Sequence, residues 1–170
     1  IVSTLEKLDR EKHGDHLTVS VTACDSTSPP FCVRGRLEVF LGDINDNSPI
    51  CGSLNYGVTI REVIPAGREI LVVAASDADH PAKFGDVKFT LDTVQPLPAL
   101  IMKGAMYPET DGFVVLSNGS IVTTAALSFE RSWETTLFVL ASDGAAQPKT
   151  VHCPVLVRFP KIELSVDTST

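Results

Sequence analysis

Positive charge is scarce in this sequence: Lys and Arg number 14 against 21 Asp and Glu, a net charge of −7 over 170 residues. A partner held through a phosphate backbone needs a basic face, so nucleic acid is excluded as the natural ligand. Long apolar runs are missing as well. Nothing approaches the roughly 18 consecutive apolar residues of a spanning helix, and the first residues lack the charged and apolar regions of a secretory leader. Any membrane anchor is therefore expected outside this chain. Gly-x-Ser-x-Gly, a phosphate-binding glycine loop and His-Glu-x-x-His are all absent, so catalysis is not expected. The four histidines, His13, His16, His80 and His152, show no metal-ligand spacing with Cys or Glu and read as surface or loop residues.

What is present is enough to fold. Hydrophobic residues make up 44% of the chain, so a core can be buried. The four cysteines permit three pairings. Cys24 and Cys32 bracket a loop containing Pro29-Pro30, where the ends of a hairpin would meet. Cys51 and Cys153 lie on segments that would be neighbours if the first and last strands of one module pair. Two disulfides imply an oxidising compartment.

The most informative pattern is an internal repeat. Ile1-Val2-Ser3-Thr4 resembles Ile121-Val122-Thr123-Thr124, Leu8-Asp9-Arg10-Glu11 matches Leu127-Ser128-Phe129-Glu130, and Thr18 to Asp25 matches Thr136 to Asp143. The order is preserved. Residues 1–49 therefore read as the second half of a module, about three strands, truncated or partly represented. Residues 50–160 read as a complete module, and 161–170 as a tail or the start of a following segment.

Alternation with a period of two, as in Leu17-Thr18-Val19-Ser20-Val21-Thr22-Ala23, places apolar side chains on one face of a sheet. In the second module the candidate strands are 58–62, 69–75, 86–91, 112–116, 120–124, 136–141 and 150–159. Seven short strands with turn signals between them predict an all-β sandwich. Asn118-Gly119 reads as a type I′ hairpin turn, which needs positive φ at both central positions. Asn118-Gly119-Ser120 is also a glycosylation sequon at an accessible tip. The Pro-containing stretch 92–111 breaks the rhythm, with one helical turn expected at Leu97 to Met102, and reads as a recognition loop or a packed surface insertion. Trp133, at the start of a strand, is expected to cap the core.

The acidic residues gather in a particular way. Calcium takes about six to eight oxygens from carboxylates, amide oxygens and backbone carbonyls, and Asp43-Ile44-Asn45-Asp46-Asn47 supplies all three kinds. Ser48-Pro49 ends the segment, since proline removes a ladder donor. Asp9 and Glu11, Asp77 and Asp79, and Asp143 all sit near strand ends, where successive modules can bring them together. An Asp/Asn-rich linker alone is more often a plain turn.

With Leu8-Asp9-Arg10-Glu11, then Asp43-Ile44-Asn45-Asp46-Asn47-Ser48-Pro49, then Asp77-Ala78-Asp79 in this order, the chain resembles the cadherin superfamily over almost all of residues 1–160. The resemblance implies tandem repeats of an immunoglobulin-like Greek-key β-sandwich, with calcium ions (Ca2+) at each joint holding the repeats in a stiff rod. It assigns carboxylate ligands to Asp9 and Glu11, a bridging role to Asp46, a side-chain oxygen to Asn45, and backbone carbonyls to Ile44 and Asn47. Asp77, Asp79 and Asp143 would complete the ion nearest the second module, with the carbonyl of Phe84, where the family more often has Asn before Gly.

The far end departs from the family pattern. Glu62 and Glu130 remain, but Ser128 replaces Asp, and no Asp-x-Asn-Asp-Asn follows Phe159-Pro160-Lys161-Ile162. The second module thus reads as a terminal or atypical repeat. The resemblance implies calcium-dependent cell adhesion on the extracellular side of the cell membrane, with other cadherin-like or cell-surface proteins as homophilic or heterophilic partners. The alternative is a receptor or structural ectodomain binding a different protein in a membrane complex. A calcium-free immunoglobulin-like or fibronectin-like sandwich fails to explain the ordered motifs.

Overall fold

The computed structural model describes residues 3–61, 63–92, 112–127 and 133–160. The helical turn expected at Leu97 to Met102, the acids Glu62 and Glu130, Ser128, the side chain of Trp133 and the tail 161–170 lie outside the described residues.

A short helix, α1 (Arg10–His13), is capped by the Asp9 carboxylate, which accepts from Lys12 N at 3.0 Å. Two nine-residue strands follow, β1 (His16–Cys24) and β2 (Cys32–Phe40), paired antiparallel from His16 opposite Phe40 to Cys24 opposite Cys32. The last pair is joined as a disulfide. Register alternation gathers Leu17, Val19, Val21 and Ala23 on one face with Val33, Leu37 and Val39 opposite them. That face is open to solvent, Val19 being 44% and Val33 60% exposed. Of the three strands expected over residues 1–49, the described residues contain two; Ile1 and Val2 lie outside them, and Ser3-Thr4 form no ladder.

Beyond the linker come β3 (Ile50–Cys51), β4 (Tyr56–Thr59), β5 (Glu69–Val72), β6 (Ala75–Ser76), β7 (Lys88–Leu91), β8 (Phe113–Val115), β9 (Ser120–Thr123), β10 (Trp133–Ser142) and β11 (Thr150–Phe159). One sheet runs β4-β11-β10-β7; the facing layer is β5-β9-β8, with the short pair β3-β6 beside it. Among the described residues all pairs are antiparallel except β4 with β11, a parallel contact that brings the start of the module beside its last strand. Leu137, Val139 and Ala141 of β10 and Cys153, Val155 and Val157 of β11 point inward and are 0% exposed, meeting Ile121 from the opposite layer. Each fully buried branched chain contributes about 1.5–3 kcal/mol, so this seam dominates the stability. A disulfide from Cys51 to Cys153 ties β3 to the core strand β11.

Two expectations are corrected. The strand expected at 69–75 is broken into β5 and β6, because the chain changes partner there, from β9 to β3. Tyr56 fills the break: its hydroxyl accepts from Ala74 N at 3.0 Å and donates to Ala74 O at 2.9 Å. The 116–120 connection is not a type I′ turn, since only Gly119 (φ +87°) has positive φ. Gly119 N donates to Leu116 O and Leu116 N to Ser120 O, both at 2.9 Å, which describes a three-residue loop with glycine in the left-handed position. A Cβ on Gly119 would come within 2.0 Å of Val73 O, so close packing as well as φ requires glycine there.

Candidate metal centre

The linker leaves β2 as an extended strip, and its exposure alternates. Asp43, Asn45 and Asn47 are half-buried, while Ile44, Asp46 and Ser48 are exposed. The alternation sets Asp43, Asn45 and Asn47 against neighbouring elements and leaves Ile44, Asp46 and Ser48 toward solvent.

Asn45 Nδ2 donates to Asp143 Oδ2 at 2.8 Å. Asn47 donates to Asp79 through its backbone N at 3.3 Å and through Nδ2 to Oδ1 at 2.7 Å. Asp79 is 1% exposed and Asp143 5%. Burying a carboxylate costs several kcal/mol unless donors or cations meet it. Asp143 has such donors, from Ala145 N, Lys149 N and Asn45. Burial pushes its carboxyl up, and these bonds together outweigh that and hold it below the usual range. Asp79 N donates to Asp77 Oδ1 at 3.0 Å, which fixes the Asp77-Ala78-Asp79 corner. The following turn, in which His80 O accepts from Lys83, Phe84 and Gly85, folds beneath it. A Cβ at Gly85 would lie 2.4 Å from Asp79 O. Glycine after Phe84 is what lets the turn close, and Phe84 O accepts from Gly144 N at 3.5 Å, beside Asp143.

Around the same Asp79 carboxylate, oxygens of Glu11, Asp46 and Asp79 all lie within 4.8 Å of one another. These three come from the helix α1, the linker and the sandwich. Asp9, Glu11, Ile44 and Asp46 line one shallow pocket. Asp9 itself is not in the close group of three; it caps α1 and pairs with Lys12 at 3.3 Å. Ile44 O accepts from Asp46 N at 2.9 Å in a tight turn.

One connection was not anticipated from the motifs. Arg10 places Nε 2.6 Å from Asp43 Oδ1, faces Glu11 at 2.5 Å and reaches Ala78 O at 3.4 Å. Asp43 in turn accepts from His80 N at 3.0 Å and its side chain is 3% exposed. Burial raises the Asp43 carboxyl, and the bonds from His80 and Arg10 together more than offset it and bring it down. The available signal was the position of Arg10 between two acids in Leu8-Asp9-Arg10-Glu11, a motif that assigned it no role.

The donor set favours a hard divalent cation. Glu11, Asp43, Asp46, Asp77, Asp79 and Asp143 outnumber the nearby cations Arg10, Lys7 and Lys149, of which Lys7 lies 4.0 Å from Asp46 and Lys149 acts on Asp143. Two buried oxygens, Asn45 Oδ1 and Asp77 Oδ2, have no hydrogen-bond partner. Orphaned buried acceptors are costly, and both belong to the hard oxygen type that calcium takes. The residues present thus fit calcium.

No family model matches the chain. It is 32% identical over 159 residues to human Protocadherin Fat 4, which covers 89% of this chain and 3% of that protein. It is 33% identical over 159 residues to human Protocadherin gamma-C4, 90% of this chain and 15% of that protein. Among solved structures, mouse Cadherin-23 EC22-24 superposes with a TM-score of 0.71 at 27% identity, over 96% of this chain and 46% of that one. The chain therefore spans only a small part of these curated relatives. The chain belongs to the cadherin superfamily, and its sandwich is of the cadherin-repeat kind, placed on the extracellular side of the cell membrane.

Proposed function

We propose that residues 43–49 form a calcium-rigidified joint between two cadherin repeats of a cell-adhesion ectodomain. Residues 1–49 are the second half of one repeat, 50–160 a complete repeat, and 161–170 a tail or the start of the next segment. The observation that carries this reading is the pair of partnerless buried oxygens, Asn45 Oδ1 and Asp77 Oδ2, set among carboxylates drawn from three elements. The open apolar face of β1 and β2 is consistent with a strand layer that belongs over it.

In this reading Asp9 and Glu11 present carboxylates from the first repeat, Asp46 bridges from the linker, and Asn45 gives its side-chain oxygen. Ile44, Asn47 and Phe84 give backbone carbonyls, and Asp77, Asp79 and Asp143 close the set from the second repeat. Bound calcium supplies the positive charge that cancels carboxylate repulsion and crosslinks both repeats. Without it, Arg10 and the amides of Asn45 and Asn47 are left to hold the linker on the sandwich. Extracellular sites of this type work at about 10⁻⁴–10⁻³ M. Bead aggregation by the whole ectodomain tests the adhesive role: clumping that requires calcium supports adhesion, and dispersed beads at millimolar calcium would assign the protein to a heterophilic receptor complex instead.

A further inference from the structure

We infer that Asn118 is an N-glycosylation site that is filled before the β8–β9 hairpin closes. In sequence, Asn118-Gly119 had a sufficient explanation as a type I′ turn, which calls for Asn because Asn tolerates positive φ. The structure removes that explanation: Asn118 does not have positive φ, and Gly119 alone takes the left-handed position. Among the described residues the Asn118 side chain has one fold-related task, for Oδ1 to accept from Ser120 N at 3.1 Å, a task Asp performs equally well. What Asn adds over Asp is its amide nitrogen. Among the described residues Nδ2 meets no hydrogen-bond partner, and Asn118 is exposed at the tip.

The other half of the sequon is placed quite differently. Ser120, the hydroxyl residue that defines the acceptor sequence, is 3% exposed. It opens β9, opposite Val72, and its carbonyl accepts from Leu116 N. An enzyme that must read residue 120 while reacting at residue 118 cannot reach both on the closed hairpin. Gly119 makes the closed form rigid, since its carbonyl accepts from Val73 N at 2.9 Å. Transfer therefore belongs to the unfolded or emerging chain in the secretory compartment, where the two disulfides also form.

The reaction joins Asn118 Nδ2 to the anomeric carbon of a lipid-diphosphate-linked oligosaccharide. The anomeric C–O bond breaks, the lipid diphosphate leaves with the electron pair, and the amide proton passes to a base of the transferase. The product keeps Oδ1 on Ser120 N, so the folded hairpin accommodates the glycan.

The full chain secreted from eukaryotic cells, released by an amidase in heavy-oxygen water and mapped by mass spectrometry, is expected to carry labelled Asp at 118 in most copies. Unmodified Asn118, or unlabelled Asp from spontaneous deamidation, overturns the proposal. Asn118→Asp retains the Oδ1 acceptor and is expected to secrete as a folded protein without the glycan, which separates loss of sugar from loss of fold. For the order of events, purified transferase with lipid-linked oligosaccharide is offered the folded, sugar-free chain and the same chain reduced and unfolded. Modification of the unfolded chain alone is expected, and equal modification of both refutes transfer before closure.

Discussion

The chain carries the same loop twice and uses it for two purposes. At the end of β1, Asp25 N donates to Phe31 O at 3.0 Å, and Asp25 Oδ1 accepts from Thr27 N and Phe31 N. At the end of β10, Asp143 N donates to Lys149 O at 3.1 Å, and the Asp143 carboxylate accepts from Ala145 N and Lys149 N. The spacing and the bonds agree. The difference lies in what surrounds them: the first loop is stapled by Cys24–Cys32, where Ser142 and Thr150 stand opposite each other in the second. The second is reached by Asn45 from the linker. An Asp that closes its own loop locally is thus available for a further partner, and the neighbouring element decides whether one arrives.

The largest test of the contrast sets the two disulfides against each other. Loop-closure entropy assigns about 5 kcal/mol to Cys51–Cys153, with a separation of 102, and about 2.5 kcal/mol to Cys24–Cys32, with a separation of 8. Chemical denaturation of Cys51→Ala/Cys153→Ala is therefore expected to show a far larger loss than Cys24→Ala/Cys32→Ala, and equal losses would break the comparison. Next come matched positions on the two hairpins. Leu137→Ala, at 0% exposure, is expected to cost about 2–5 kcal/mol, whereas Val19→Ala, at 44% exposure, is expected to stay within about 0.5 kcal/mol in this chain.

Acid titration sharpens the likeness of the two loops. The Asp25 carboxyl is lowered chiefly by the Thr27 hydroxyl and then by the Phe31 and Thr27 amides; for Asp143, burial works upward and the loop amides and Asn45 together prevail. A carboxyl lowered in the folded state stabilises above its unfolded value near 3.9 and loses that stabilisation as pH falls through the folded value. Both loops are therefore expected to loosen below about pH 4, seen as rising amide exchange at Phe31 and Lys149. A smaller effect is expected from Arg10→Ala. In calcium-free buffer it leaves Asp43 without its guanidinium partner and broadens the interrepeat angle distribution in small-angle scattering, while calcium restores the narrow one.

Much of this was legible in sequence, for physical reasons. Alternation in Leu17 to Ala23 and in the Thr150 to Phe159 run marks strands with one apolar face, because side chains on a strand leave in opposite directions. The acids fall near strand ends in sequence, where successive modules can bring them together. What stayed hidden depends on tertiary placement. Nothing local says that β4 pairs with β11 in parallel, that Tyr56 plugs the break at Ala74, or that Arg10 turns toward Asp43. The Asn118-Gly119 turn was misread because a dipeptide suits more than one turn type, and the carbonyl of Val73 behind Gly119 makes the choice.

The central claim is that the 43–49 joint holds calcium through ligands from both sides. Calorimetric titration of calcium into the chain and into Asp46→Ala tests it most directly, since the Asp46 side chain is 40% exposed and its loss should leave the fold intact. Heat of binding in the native chain that is abolished or weakened at least about tenfold, roughly 1.4 kcal/mol, by Asp46→Ala is the expected result. Absence of calcium heat in the native chain, or an unchanged isotherm in the variant, would contradict the account.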